Sequence, residues 1–187
     1  MAEPFGSTIL SDHDRAFIDI VTGLPHKILR HHALDDLSQM VLHELGHDTG
    51  FSLSRATYLI DNPDFDHLLG VAGFDAAECA LHQKNIWEHP ECFCKDMANA
   101  EFNAKVRKIA NNSFTRKDIN LNDAHDVRAL GYELGIKDPS YFSWNMKHGN
   151  HGLFIFENNE KLCRWRHGLL KNITSVLSMC GIPRSAQ

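Results

Sequence analysis

Two overlapping stretches have residue types and spacing that could do chemistry. The first is His43-Glu44-Leu45-Gly46-His47. On a helix, residues four apart share a face, so two imidazoles there could grip a zinc ion while Glu44 acts as general base. Glu78 is a distant carboxylate that could complete the ligand set. Gly50 fits a longer zinc-binding form, but that form needs His or Asp at 53 and Leu53 stands there. The second stretch is His47-Asp48-Thr49-Gly50, a His–Asp dipeptide of the kind that shares a metal in phosphohydrolases, with His13 upstream. Thirteen histidines in 187 residues raise the weight of metal or acid–base chemistry generally. Against both stands a plainer reading: a histidine at the end of a helix favours the negative pole of the helix dipole.

The elements that must position these residues read as mostly helical. Apolar residues at 34, 37, 41, 42 and 45 recur at helical spacing, which predicts a helix over 33–47 that carries His43, Glu44 and His47 on its last turns. A short amphipathic helix is expected over 12–21, ended by Gly23-Leu24-Pro25. A helical turn is expected over 52–60. A helix over 75–87 has Asp75 as cap and Glu78 three residues on. Further helices are expected over 93–110, over 122–134 with Gly135 as its stop, and over 161–179. Residues 138–152 read as turn-rich, and 153–156 as a short strand or the start of the last helix. The fold class that follows is all-α, a single compact helical domain over residues 1–182 with a tail over 183–187.

Composition narrows the function classes. A chain of 187 residues suits one domain. A formal net charge of -5 speaks against a general phosphate-backbone binder, so no nucleic-acid partner is expected. The apolar runs are far shorter than the roughly 20 residues of a membrane span, and no basic region leads into an apolar stretch near Met1. Five cysteines, scattered at 79, 92, 94, 163 and 180, read as reduced thiols. Together these predict a cytoplasmic protein without a membrane partner. Cys92 and Cys94 have the wrong spacing for a zinc knuckle.

A longer pattern runs Leu34-Asp35-Asp36-Leu37-Ser38, His47-Asp48, Ser52-Leu53-Ser54-Arg55, Asp61-Asn62 and Phe65. It continues with Asn112-Ser113-Phe114 and with Phe154-Ile155-Phe156-Glu157-Asn158-Asn159-Glu160-Lys161-Leu162. In order and content this resembles the heme-thiolate peroxidases, the fungal chloroperoxidases and unspecific peroxygenases. The resemblance implies the helical heme-haloperoxidase fold. It implies heme b as cofactor and hydrogen peroxide as co-substrate. It also implies oxidation of a small apolar organic metabolite in a fungal biosynthetic pathway.

Carried over residue by residue, the resemblance assigns His47 to orienting an acid–base carboxylate. Asp48, Ser52 and Arg55 fall in the family's distal segment, close to where a metal ion sits by a heme propionate. Asp126, in His125-Asp126-Val127-Arg128, falls where the acid–base carboxylate belongs, with Glu133 as a second choice. The departures are large. Pro4 stands where the thiolate cysteine belongs, and no cysteine precedes Cys79. Gly46 stands where the family has a carboxylate, and Thr49-Gly50-Phe51 adds two residues before Ser52.

Four functions therefore stay open. The first is a peroxidase-type oxidoreductase. The second is a heme-free offshoot using His47 and Asp126 for isomerisation, dehydration or cyclisation, since a carboxylate steadied by an imidazole can move a proton without any cofactor. The third is a zinc hydrolase built on His43, Glu44, His47 and Glu78. The fourth is a non-catalytic ligand-binding protein. Under the bland reading Asp48 and Asp126 are surface or capping carboxylates, Arg55 pairs with a structural carboxylate such as Asp61, and His148-Gly149-Asn150-His151 lies on a solvated face.

Overall fold

A computed structural model describes residues 11–62, 67–79, 85–110, 123–157 and 164–180. It corrects the fold class. The chain is mixed, with seven α-helices and a four-stranded antiparallel sheet among the described residues, and is not all-α. The domain limits at 182 and 183 fall outside the described residues, as do Pro4, Phe65 and Asn112-Ser113-Phe114.

The first helix, α1 (Asp12–Arg30), runs straight through Gly23 and Pro25, where a stop is expected. Pro25 removes one intrahelical hydrogen bond, at a cost of about 3 kcal/mol. The buried stripe Phe17, Val21, Leu24 and Ile28 offsets it, at about 1.5–3 kcal/mol for each side chain. The Ser11 hydroxyl caps the helix by accepting from the Asp14 N–H at 3.1 Å. Helix α2 (Leu37–Gly46) is shorter than the 33–47 pattern and almost wholly buried.

Residues 52–60 form no helical turn. They lead into strand β1 (Arg55–Asn62), which pairs with β2 (His67–Asp75). After the short α3 (Ala76–Cys79) come α4 (Pro90–Ala98) and α5 (Glu101–Arg107), which divide the single helix expected over 93–110. Helix α6 (Ala124–Leu134) ends where expected, with Gly135 at φ 86° in the left-handed region. The turn-rich stretch contains β3 (Pro139–Asn145), and 153–156 lies within β4 (His151–Glu157). The last helix is α7 (Arg164–Ile173), followed by a 3-10 segment, Thr174–Met179.

The strands stand in the order β2-β1-β4-β3, all antiparallel. The strand period of two sorts side chains onto two covered faces. Ala56, Tyr58, Ile60, Phe74, Phe154 and Phe156 join the core under α1, α2, α4 and α7. Leu59, Leu68, Leu153 and Ile155 join a second core under α5 and α6. Because both faces are buried, β4 reads as an unbroken apolar run, which periodicity alone cannot tell from a helix segment.

The β2 edge is closed by side chains. Gln39 of α2 donates to the Gly73 carbonyl at 2.6 Å, and Asn103 of α5 accepts from the Gly73 N–H at 3.0 Å. Arg107 donates to the Val71 carbonyl at 3.3 Å. Val71 is the extra residue where the register shifts opposite Tyr58 and Leu59.

Candidate functional site

The His43–His47 stretch folds as the end of α2, with His47 as its cap residue. The two imidazole centroids lie 5.5 Å apart, as the four-residue spacing demands. The environment is that of a packed helix. His43 is buried, with its ring edge-on to Phe93 at 4.9 Å and to Phe74 at 5.9 Å. His47 is exposed, and its Nδ1 lies 3.2 Å from the Thr49 hydroxyl.

Glu44, the would-be general base, is spent elsewhere. One oxygen accepts from Lys27 of α1 at 2.5 Å, the other from the Trp87 indole N–H at 2.8 Å. Lys27 also stands over the Trp87 ring, 5.3 Å from its centroid. Glu78 accepts from the Phe102 N–H at 2.9 Å, at the start of α5. Among the described residues no group of three His, Cys, Asp or Glu side chains is placed to hold a metal ion. The metal-binding reading of His43, Glu44, His47 and Glu78 is therefore corrected: the motif's carboxylate fastens α1 and the Trp87 loop to α2.

The residues assigned by the peroxidase resemblance do not converge either. Asp48 is exposed beside His47, and the Ser52 hydroxyl donates to the Asp48 carbonyl at 3.0 Å, which makes a local turn. Ser52 has a φ of 52° in that turn. Arg55 pairs with Asp75 at 2.6 Å across the β1–β2 ladder and donates to the Gly135 carbonyl at 2.7 Å; its partner is Asp75 and not Asp61. Asp126 lies in the first turn of α6, 3.7 Å from the His125 ring nitrogen. Helix α2 covers one face of the sheet and α6 the other, so the sheet stands between His47 and Asp126. Asp126 therefore does not meet His47 in the way the peroxidase resemblance implies.

Three of the thiols are held back by burial. Burial pushes Cys79 up to about 12, with its sulfur 4.0 Å from Met97 Sδ. Cys180 also rises to about 12 through burial, against a hydrogen bond from Ser38 that works the other way. Cys94 rises to about 12 by burial and by the neighbouring Asp36 charge. A thiol so far from its thiolate is a poor nucleophile at neutral pH.

A different polar group emerges on the second sheet face. Three directly opposed residues on adjacent strands are Asp61 of β1, His151 of β4 and Asn145 of β3. His151 Nδ1 lies 3.1 Å from Asn145 Oδ1. Asp61 is 1% exposed, His151 half-buried, and Asn145 and neighbouring Ser143 exposed. Helix α6 covers only the other end of these strands, where Gly131 lies so close to Pro139 that a Cβ would stand 2.6 Å from its ring. The result is a ledge of hydrogen-bonding groups at the end of an apolar sheet face, with Leu153 and the partly buried Tyr141 beside it. Sequence reasoning puts His151 on a solvated face, because its cross-strand neighbour lies six residues away across a turn.

No protein-family model matches the chain, and no curated protein or solved structure matches it. No helix among the described residues is long and apolar enough to cross a membrane.

Proposed function

We propose that this chain is a non-catalytic binding domain for a small organic molecule. The single observation that carries this reading is that the groups each catalytic alternative requires are either committed to holding the fold or kept apart by the sheet. Glu44 joins Lys27 to Trp87, Glu78 caps α5, Arg55 joins Asp75 to the end of α6, and His47 and Asp126 lie across the sheet from each other. A catalytic acid–base pair needs hydrogen-bond reach of the same proton, and these do not have it.

The ledge of Asn145, His151 and Ser143 supports the positive half. Few polar groups beside an apolar wall are the usual lining of a small-molecule site. The ligand that fits has an apolar body to lie against the partly buried Tyr141, and one edge that both donates and accepts hydrogen bonds toward His151 and Asn145.

The test is a thermal-shift screen of planar nitrogen heterocycles and aryl carboxamides, followed by calorimetry on the hits. His47→Ala and Asp126→Asn are expected to bind as the parent does, while His151→Ala loses at least about tenfold in affinity. Turnover of any hit that vanishes in His47→Ala or Asp126→Asn sinks the reading, and so does a hit that binds His151→Ala unchanged.

A further inference from the structure

The two edges of the sheet are treated differently. At the β2 edge the outward main-chain groups of Gly73 and Val71 are occupied by Gln39, Asn103 and Arg107. At the β3 edge none of the described side chains donates to or accepts from the outward backbone. The turn fixes which groups those are. The Met146 N–H donates to the Asn150 carbonyl at 2.8 Å, so the paired main-chain groups toward β4 are those of Phe142 and Trp144, in register with Phe154 and Gly152. Tyr141, Ser143 and Asn145 turn their N–H and C=O outward.

Edge strands in monomeric proteins are commonly blunted by charge, by an interior proline or by a bulge. The sequence Pro139-Ser-Tyr-Phe-Ser-Trp-Asn145 has no charged residue, its proline is at the first position, and its pairing with β4 is regular. Ser143 and Asn145 are exposed and Trp144 half-buried.

We propose that β3 is an interaction edge for a second copy of this chain, joined antiparallel about a two-fold axis at Ser143. That register pairs Ser143 with itself and Tyr141 with the second copy's Asn145. It forms about six main-chain hydrogen bonds. On the first face it sets Phe142 opposite the second copy's Trp144, an aromatic cross-strand pair. The ends are complementary in charge: Lys147, just past β3, meets the Asp138–Pro139 end of the other strand. The joined sheets form one continuous eight-stranded sheet, with the β2 edges, already capped, at its outer limits. This self-association shares Tyr141, Ser143 and Asn145 with the small-molecule ledge, but it is made by their backbone groups and needs no ligand.

Amide hydrogen exchange of the full chain, at about 5 µM and about 200 µM, tests it together with light scattering. The N–H groups of Tyr141, Ser143 and Asn145 are expected to gain protection with concentration. Those of Phe142 and Trp144, held by β4, stay protected at both. Ser143→Pro removes one outward donor without touching the β4 ladder, and Ser143→Lys leaves the backbone intact but places charge on the axis. Each is expected to weaken dimerisation at least about tenfold. A monomer at the higher concentration overturns the proposal. So does protection of the three outward groups at both concentrations, which means an edge covered within one chain. A dimer that survives both substitutions overturns it as well.

Discussion

Arg107 of α5 reaches around the edge of β2 to Asp36, with Nη2 2.5 Å from Oδ1, and so ties the helices of the two sheet faces to each other. Asp36 is the residue before α2, and α5 lies on the opposite face. The same guanidinium fills the Val71 carbonyl with its Nε. One planar group thus closes an ion pair and an edge hydrogen bond, which an ammonium could not do in this geometry.

Arg107→Lys is therefore expected to be a poor replacement. Both partners are less than a third exposed, so the ion pair is only partly screened. Arg107→Met is expected to lower stability by about 1–3 kcal/mol, and Arg107→Lys by at least about half of that. Urea denaturation of the three proteins measures this. Equal stability of all three would show that the β2 edge is closed without Arg107.

Glu44 gives the clearest separation of structural from catalytic roles. Glu44→Gln keeps an acceptor for the Trp87 indole but loses the charge facing Lys27. The expected loss is about 1 kcal/mol, discounted because Lys27 is one-third exposed. Trp87→Phe removes the other contact and should cost a similar amount. Trp87 fluorescence is expected to shift to the red in Glu44→Ala as the loop loosens. An unchanged denaturation midpoint and unchanged fluorescence in Glu44→Ala would refute the fastening role.

The buried thiols set a limit on the alkaline side. Cys79, Cys94 and Cys180 are all raised to about 12 in the folded chain by burial, whereas an unfolded cysteine titrates near ~8.5. Above that lower value the unfolded chain releases protons that the folded chain holds. The stability contributed by the buried neutral thiols is therefore full below about pH 8.5 and falls as pH rises toward about 12. The urea midpoint should decline between pH 9 and pH 11 (approximate bounds set by those two values). A Cys79→Ala/Cys180→Ala variant should show a shallower decline. Iodoacetamide at about pH 8 should leave Cys79 and Cys180 unmodified until the chain is unfolded. Their rapid modification in the folded protein would contradict this.

How far the sequence carried the structure can be seen in particular residues. Gly135 was legible as a helix stop because only the left-handed region suits that position. The helix expected over 122–134 is found at Ala124–Leu134, with the Asp123 side chain as its cap. Pro25 misled, because a local rule about proline was outweighed by the long-range burial of Phe17, Val21, Leu24 and Ile28. The strands misled for another reason. Leu153-Phe154-Ile155-Phe156 is buried on both sides, so the alternation that marks a half-exposed strand is missing. The motif at His43–His47 had the spacing of a metal site, but spacing does not reveal that Lys27 and Trp87 converge on Glu44. The His151–Asn145 contact depended on a hairpin that was itself unread.

Glycine substitutions test the packing of α2 against the sheet, and they should act in opposite directions. A Cβ on Gly46 would stand 2.5 Å from the Phe74 ring, which lies in the core between α2 and β2 and also meets His43. Phe74 is 1% exposed and has nowhere to move. Gly46→Ala should therefore destabilise by about 1–3 kcal/mol through overpacking, despite the better helix propensity of alanine. Gly168 in α7 is the control. Nothing lies within 4 Å of a Cβ built there, so Gly168→Ala keeps the propensity gain and should stabilise by about 0.5–1 kcal/mol. Thermal unfolding followed by circular dichroism measures both. A stabilising Gly46→Ala would mean that α2 does not seat against Phe74 as described, and with it the distance between His43 and the sheet would have to be redrawn.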